Sequence, residues 1–162
     1  MKKETVGRGF RVPGFTTAGI FCGIKTNKQK DLALIFSEEP SVAAGLFTSN
    51  QVVSPTITWC QEILKSSKRF RAIVVNSGNA NACTGPKGME DCKSLASKLS
   101  QKLSVEPKEI LIASTGIIGV PLPINKIVKA LPALSSKLSP IGWVSSAEAI
   151  MTTDLTPKFK SL

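Results

Sequence analysis

Hydrophobic residues recur along this chain in two rhythms that alternate. Short apolar runs predict strands at "DLALIF" (31–36), closed by a turn at "SEEP", and at "AAGLFTSNQVV" (43–53). Two more follow at "RAIVV" (71–75), β-favouring enough to be buried on both faces, and "EILIAST" (109–115). Three- and four-residue spacings predict helices. "TITWCQEILKSS" (56–67) places Ile57, Cys60, Ile63 and Leu64 on one face. Met89, Cys92, Leu95, Ala96, Leu99 and Leu103 form a longer stripe with lysines on the other faces. "LPINKIVKALPAL" (122–134) aligns Ile124, Ile127, Val128 and Leu131, with Pro132 expected to end or kink it. "WVSSAEAIMTTD" (143–154) offers Val144, Ala147, Ile150 and Met151 as an inner face. Strands alternating with helices, without an internal repeat, give an α/β or α+β class.

One connection breaks the usual pattern. "RAIVV" runs straight into "NSGNANACTG" (76–85), which holds three asparagines, two glycines and a cysteine, and no charge appears until Lys87. A solvent linker has no need of this composition. Asn and Gly allow left-handed backbone and local hydrogen bonds, and small uncharged residues allow close approach of another backbone or a ligand. The sequence reads equally as a buried turn or as part of a site. "STGIIG" (114–119) likewise ends one predicted strand, and "TTD" (152–154) ends the last helix. Three small, hydroxyl- or amide-rich ends in one domain suggest a site built from loop ends.

Composition narrows the chemistry. The 162 residues fit one domain, and a hydrophobic fraction of 42% excludes a disordered chain. No apolar run is long enough to span a bilayer, and "MKKETVGRGF" has no apolar stretch behind its charges, so neither a membrane partner nor a signal peptide is expected. Cys22, Cys60, Cys83 and Cys92 are widely spaced, without CxxC and without any histidine. That argues against a metal site or a disulfide framework, and for reduced thiols in a cytoplasmic setting. A net charge of +10 would suit nucleic acid, but the lysines are scattered and aromatics make up only 6%, so a solvated basic surface is the better reading. The absence of histidine excludes Ser-His-Asp and Cys-His nucleophilic sites within the chain. A nucleophile here would need a lysine, an α-amino group or a carboxylate as base.

Individual motifs are weak. In "STGIIG" a threonine hydroxyl beside a glycine amide could aim two donors at one point, as an oxyanion hole requires. An ordinary strand-to-helix turn with a Ser or Thr cap has the same letters. "TTD" offers two hydroxyls and a carboxylate to an amine-bearing ligand, or simply a helix end before Pro157. "TGPKG" (84–88) fails as a phosphate loop, because GxxxxGK[ST] is absent and Pro86 lacks an N–H.

Taken in order, the segments "VPGFTTAGIFCGIK", "DLALIFSEEP", "AAGLFTSNQV", "RAIVVNSGNANACTG", "STGIIGVPLPINKI" and "AEAIMTTD" closely resemble the ornithine acetyltransferases of arginine biosynthesis, many of which are also glutamate N-acetyltransferases. The match runs along nearly the whole chain. It implies a layered α/β sandwich, of which residues 1–162 would form a single incomplete domain, most of an α subunit. The family's precursor cleaves itself between Ala and Thr. The new N-terminal Thr, with its own α-amino group as base, takes acetyl from N-acetylornithine and passes it to glutamate. Bifunctional members also accept acetyl-CoA. No cofactor is involved. By motif, Thr115 and Gly116 match the oxyanion-hole pair, and Thr152 and Thr153 match the substrate-contacting segment. No carboxylate of this chain matches a ligand for the ornithine side chain.

The resemblance also has limits. Family precursors are much longer, and their self-cleavage segment, a Lys-Gly-x-Gly-Met run before the Ala-Thr junction, should lie downstream of "TPKFKSL". Leu155 stands where a Thr would be expected. The nucleophile and the β subunit, which in the family makes an αβ heterodimer and then a heterotetramer, would therefore come from elsewhere. The expectation is a chain inactive alone with apolar surface exposed. The alternatives are a catalytically inactive truncated remnant and a non-enzymatic amino-acid-binding protein.

Overall fold

The structure is a computed structural model that describes residues 10–158. The N-terminal segment 1–9, over which no signal peptide was expected, and the tail 159–162 lie outside the described residues. The elements are β1 (Phe15–Ile20), β2 (Leu32–Ser41), α1 (Pro55–Ser66), β3 (Phe70–Asn79), α2 (Gly85–Leu103), a 3-10 turn (Pro107–Glu109), β4 (Ile110–Ile117), α3 (Ile124–Ser136) and α4 (Trp143–Ile150). One sheet runs in the order β1-β2-β3-β4. The first three strands are antiparallel, and β3 and β4 are parallel, joined by α2 as a crossover.

Strand alternation sorts the sheet into two faces. Leu32 and Leu34 of β2, Ala72 and Val74 of β3, and Ile110 and Ile112 of β4 share one face, packed under Trp59, Cys60 and Ile63 of α1, Leu95 and Leu99 of α2, and Ile127 and Leu131 of α3. Burying each of the larger of these side chains stabilises the fold by ~1.5–3 kcal/mol. Trp59 Nε1, inside this layer, donates to the Ile110 carbonyl at 3.0 Å. The predicted α2 stripe is the centre of this layer. Helix α2 stops where Ser104 turns left-handed at φ 54°, its N–H donating to the Ser100 carbonyl.

The opposite face carries α4. Gly19 of β1 has no side chain there, and a Cβ would run into the main chain of Ser145. The Thr17 and Ser146 hydroxyls are hydrogen bonded across the same contact. Helix α4 covers β1, β2 and the end of β3. It leaves the other half of the face open, where Ile73 is 38% exposed and Ala113 is exposed.

Several expectations are corrected here. β2 does not turn at "SEEP" but continues to Ser41 with a bulge beyond Phe36. Residues 43–53 form no strand: Leu46 and Val52 are exposed, and an extended segment without a ladder partner has no reason to settle as β. Over 71–75 β3 is buried on one face only, with Ile73 exposed on the other. The strand also extends through Asn79, so the first four residues of the Asn/Gly "loop", 76–79, are strand. Helix α3 does not end at Pro132 but reaches Ser136, its stripe prolonged by fully buried Leu134. In α4 the buried residues are Ser146 and Ala149, whereas Val144, Ala147 and Met151 are half-buried and Ile150 is exposed. Small residues face inward there because the helix lies so close to the sheet. β1, unread from the pattern, carries polar Thr17 and bare Gly19 on the side facing α4 for the same reason.

Candidate functional site

The uncharged stretch after "RAIVV" is a buried scaffold. Asn76, Asn79 and Asn81 are all nearly inaccessible to solvent. Asn76 donates to the Asn79 carbonyl at 2.8 Å and accepts from Ser114 Oγ at 2.6 Å, tying β3 to β4 one residue before Thr115. Asn79 donates to the Val120 carbonyl and accepts from the Asn81 N–H. Asn81 donates to the Gly88 carbonyl and accepts from the Thr84 hydroxyl. Each amide supplies both a donor and an acceptor to irregular buried backbone, which would otherwise be left unpaired at a cost of roughly 1–3 kcal/mol per group. A charged side chain could serve only one of the two roles and would bring a desolvation penalty.

Gly78 and Gly116 are paired across β3 and β4. Both have positive φ, 97° and 137°. A Cβ on Gly116 would overlap the main chain of Gly78 and Asn79. A Cβ on Gly78 would meet Ile24 Cγ2 at 3.0 Å and Lys25 Cγ at 3.2 Å. Three backbone segments are thus stacked with glycine at both contacts.

They enclose a cavity of about 520 Å³ at the carboxyl ends of β3 and β4, the usual place for a ligand in an open α/β sheet. It is lined by Gly78, Thr115, Gly116 and Ile117 at the strand ends, by Ile24, Lys25, Thr26, Asn27 and Gln29 of the turn between β1 and β2, and by Thr152 and Thr153 after α4. All four residues singled out in the sequence therefore line one cavity. Among the described lining residues none is a carboxylate, and Lys25 is the one charge. Burial holds the Lys25 ammonium below its ordinary range, with nearby Asp31 acting in the opposite direction.

Sequence reasoning missed Lys25 and Asp31. Asp31 is fully buried immediately before β2. Its carboxylate accepts from the N–H groups of Cys22 (2.6 Å), Gly23 (3.2 Å), Ile24 (2.7 Å) and Lys25 (2.9 Å). The signal available was a lone acid ahead of an apolar run and a glycine in the preceding turn, which is common in ordinary hairpins.

Three of the four thiols are shifted away from ionisation. Burial and then the Asp31 carboxylate push the Cys22 thiol up to about 12. Burial, with Cys60 beside it, pushes Cys92 up to about 12, and burial raises Cys60 as well. At pH 8, iodoacetamide should therefore label exposed Cys83 and spare Cys22 and Cys92 until the chain is unfolded. Rapid labelling of either in the native chain, mapped by mass spectrometry, would contradict the assigned burial.

No helix among the described residues is long and apolar enough to cross a membrane. Comparison with known proteins agrees with the geometry. Residues 16–162 match the ArgJ family. The arginine biosynthesis bifunctional protein ArgJ of Caldanaerobacter subterraneus subsp. tengcongensis is 48% identical over 141 residues, 87% of this chain and 34% of that protein. Its counterpart in Thermosynechococcus vestitus is 43% identical over 145 residues, 90% of this chain and 35% of that protein. The chain thus spans about a third of the length of these relatives. The crystal structure of Mycobacterium tuberculosis ornithine acetyltransferase complexed with ornithine superposes with a TM-score of 0.85 at 39% identity, covering 89% of this chain and 78% of that one. The crystal structure of ArgJ from Bacillus halodurans gives 0.83 at 34% identity, covering 89% and 75%. With its fold and its sequence in agreement, the chain belongs to the ArgJ family.

Proposed function

We propose that this chain supplies the oxyanion-hole side of an acetyl-transfer site in arginine biosynthesis. The observation that carries the reading is the convergence of Thr115, Gly116, Thr152 and Thr153 on one cavity from two separate stretches of chain. The acetyl carbonyl oxygen of N-acetylornithine would sit between the Thr115 hydroxyl and the Gly116 N–H. A threonine on a segment outside this chain attacks the carbonyl carbon, and the oxygen becomes negative as the tetrahedral intermediate forms. Two preorganised donors aimed at one point stabilise that charge. Collapse breaks the C–N bond, ornithine leaves as the amine, and an acetyl-threonine remains. The amine of glutamate then attacks the ester, giving N-acetylglutamate and freeing the threonine. Acetyl-CoA would serve as an alternative donor. Thr152 and Thr153 contact the amino-acid part of the substrate.

A second segment is part of this reading. The open half of the sheet face around Ile73, together with Leu46, Val52, Ile117 and Ile118, leaves apolar side chains in water that a packed partner would cover. The partner would be a β subunit bringing the nucleophile and a carboxylate for the ornithine ammonium, with residues 1–162 forming most of the α subunit of an αβ unit.

Co-expression with the C-terminal segment of the Caldanaerobacter relative tests this. The co-purified pair should transfer acetyl from N-acetylornithine to glutamate with ping-pong kinetics, and the isolated chain should not. Turnover by the isolated chain, or a well-folded pair without activity, would overturn the proposal. In the active pair, Thr115→Val should lower kcat on the order of 10²-fold with little change in KM, because the lost donor acts mainly on the developing charge.

A further inference from the structure

We propose that Asp31 is a positioning residue, which sets Thr152 and Thr153 in the cavity through Lys25. A buried carboxylate is costly unless its charge is met. Among the described residues no cation pairs with the Asp31 oxygens; four consecutive N–H groups meet them, all within hydrogen-bond distance. Such a run of N–H groups is an anion cradle, and the anion is the protein's own.

Asp31 itself is clamped from both sides. Its N–H donates to the Ile20 carbonyl of β1, and its carbonyl accepts from the Ser77 N–H of β3, both at 2.9 Å. The turn is therefore held against the rigid part of the sheet, next to Gly78.

Holding the turn aims Lys25. Its ammonium donates to the Lys30 carbonyl at 2.9 Å and to the Met151 carbonyl at 2.6 Å. Met151 caps the C-terminus of α4, where backbone carbonyls lack helical partners and a cation is favoured. It is also the residue before Thr152. The Asp31 carboxylate, the 22–25 backbone, the Lys25 side chain and the Met151 carbonyl form one continuous path of hydrogen bonds and covalent chain, ending next to Thr152 in the cavity lining. Lys30 reinforces it by pairing with Glu148 at 2.7 Å and Ser145 at 2.9 Å on α4. The catalytic meaning of this line rests on the acetyl-transfer reading; its mechanical part does not.

Backbone ¹⁵N order parameters of the full chain test the mechanical part without any turnover, so an inactive co-expressed pair would leave the result standing. In the wild type, residues 151–153 should be rigid, near ~0.85. Lys25→Met should lower them below ~0.6 while 22–25 stay ordered, and Lys25→Arg should restore them. Asp31→Asn should loosen 22–25 and 151–153 together. Adding Lys25→Met to it should change 151–153 no further, since both act through one bond. Unaltered order at 151–153 in Lys25→Met, or in an Asp31→Asn chain whose 22–25 turn has loosened, would overturn the proposal. If Asp31→Asn does not fold, the two Lys25 variants decide alone.

Discussion

Gly116→Ala should unfold this chain or bring it close to unfolding. At φ 137° a side chain is strained by ~1–3 kcal/mol even in open space. Here the space is occupied by the main chain of Gly78 and Asn79. These atoms cannot retreat, because Gly78 and Asn79 are paired to β4 and Asn79 is held through its side chain to Val120 and Asn81. Overpacking adds a further ~1–3 kcal/mol. The sum, about 2–6 kcal/mol, is a large part of the ~5–15 kcal/mol that holds a domain of this size folded. Gly78→Ala is the control. Its added Cβ meets the side chains of Ile24 and Lys25, which can shift, so its loss should be smaller despite its own positive φ. Urea denaturation of both variants measures the difference. A Gly116→Ala midpoint equal to the wild type would mean that β3 and β4 are not so closely apposed.

Asp31→Ala should cost ~4 kcal/mol or more. Removing the carboxylate strands four backbone N–H groups at once, each worth roughly 1–3 kcal/mol when buried without an acceptor. Water can reach some of them, because the turn borders the cavity, which keeps the total below the full sum. The loss should appear as a lower urea midpoint with an unchanged slope. Cys22 gives a second readout. With Asp31 gone, one cause of its raised thiol disappears, so alkylation of Cys22 should quicken in whatever folded fraction remains. A stability loss under ~1 kcal/mol would show that the four N–H groups find other acceptors.

Much of this fold was legible from the chain. The α2 stripe from Cys92 to Leu99 is buried as its spacing predicts, and α1, β3, β4 and α3 lie where local periodicity places them. These elements each bury one face against the same core, so burial alternates at the period that the sequence displays. The motifs carrying the family resemblance were equally legible, and fold and family agree with them. The expected strand over 43–53 failed because strand propensity needs a ladder partner, and this segment pairs with no strand among the described residues. The inner face of α4 was misread because a helix lying this close to a sheet selects small side chains over large apolar ones.

What the sequence determined alone is therefore the class, the main elements, the family and the residue types at the candidate site. The tertiary structure decided that Thr115, Gly116, Thr152 and Thr153 share a cavity, that Lys25 lines it, and that buried Asp31 holds the turn carrying Lys25. Lys25 and Met151 are 126 positions apart and meet only because α4 folds back over β1 and β2. The three asparagines after β3 show the same division. Their number is plain in the chain, but which carbonyl each one serves depends on where β4 and α2 come to rest. A periodic pattern reports which face of a segment is buried; a hydrogen bond depends on the position of a second group that the local sequence does not encode.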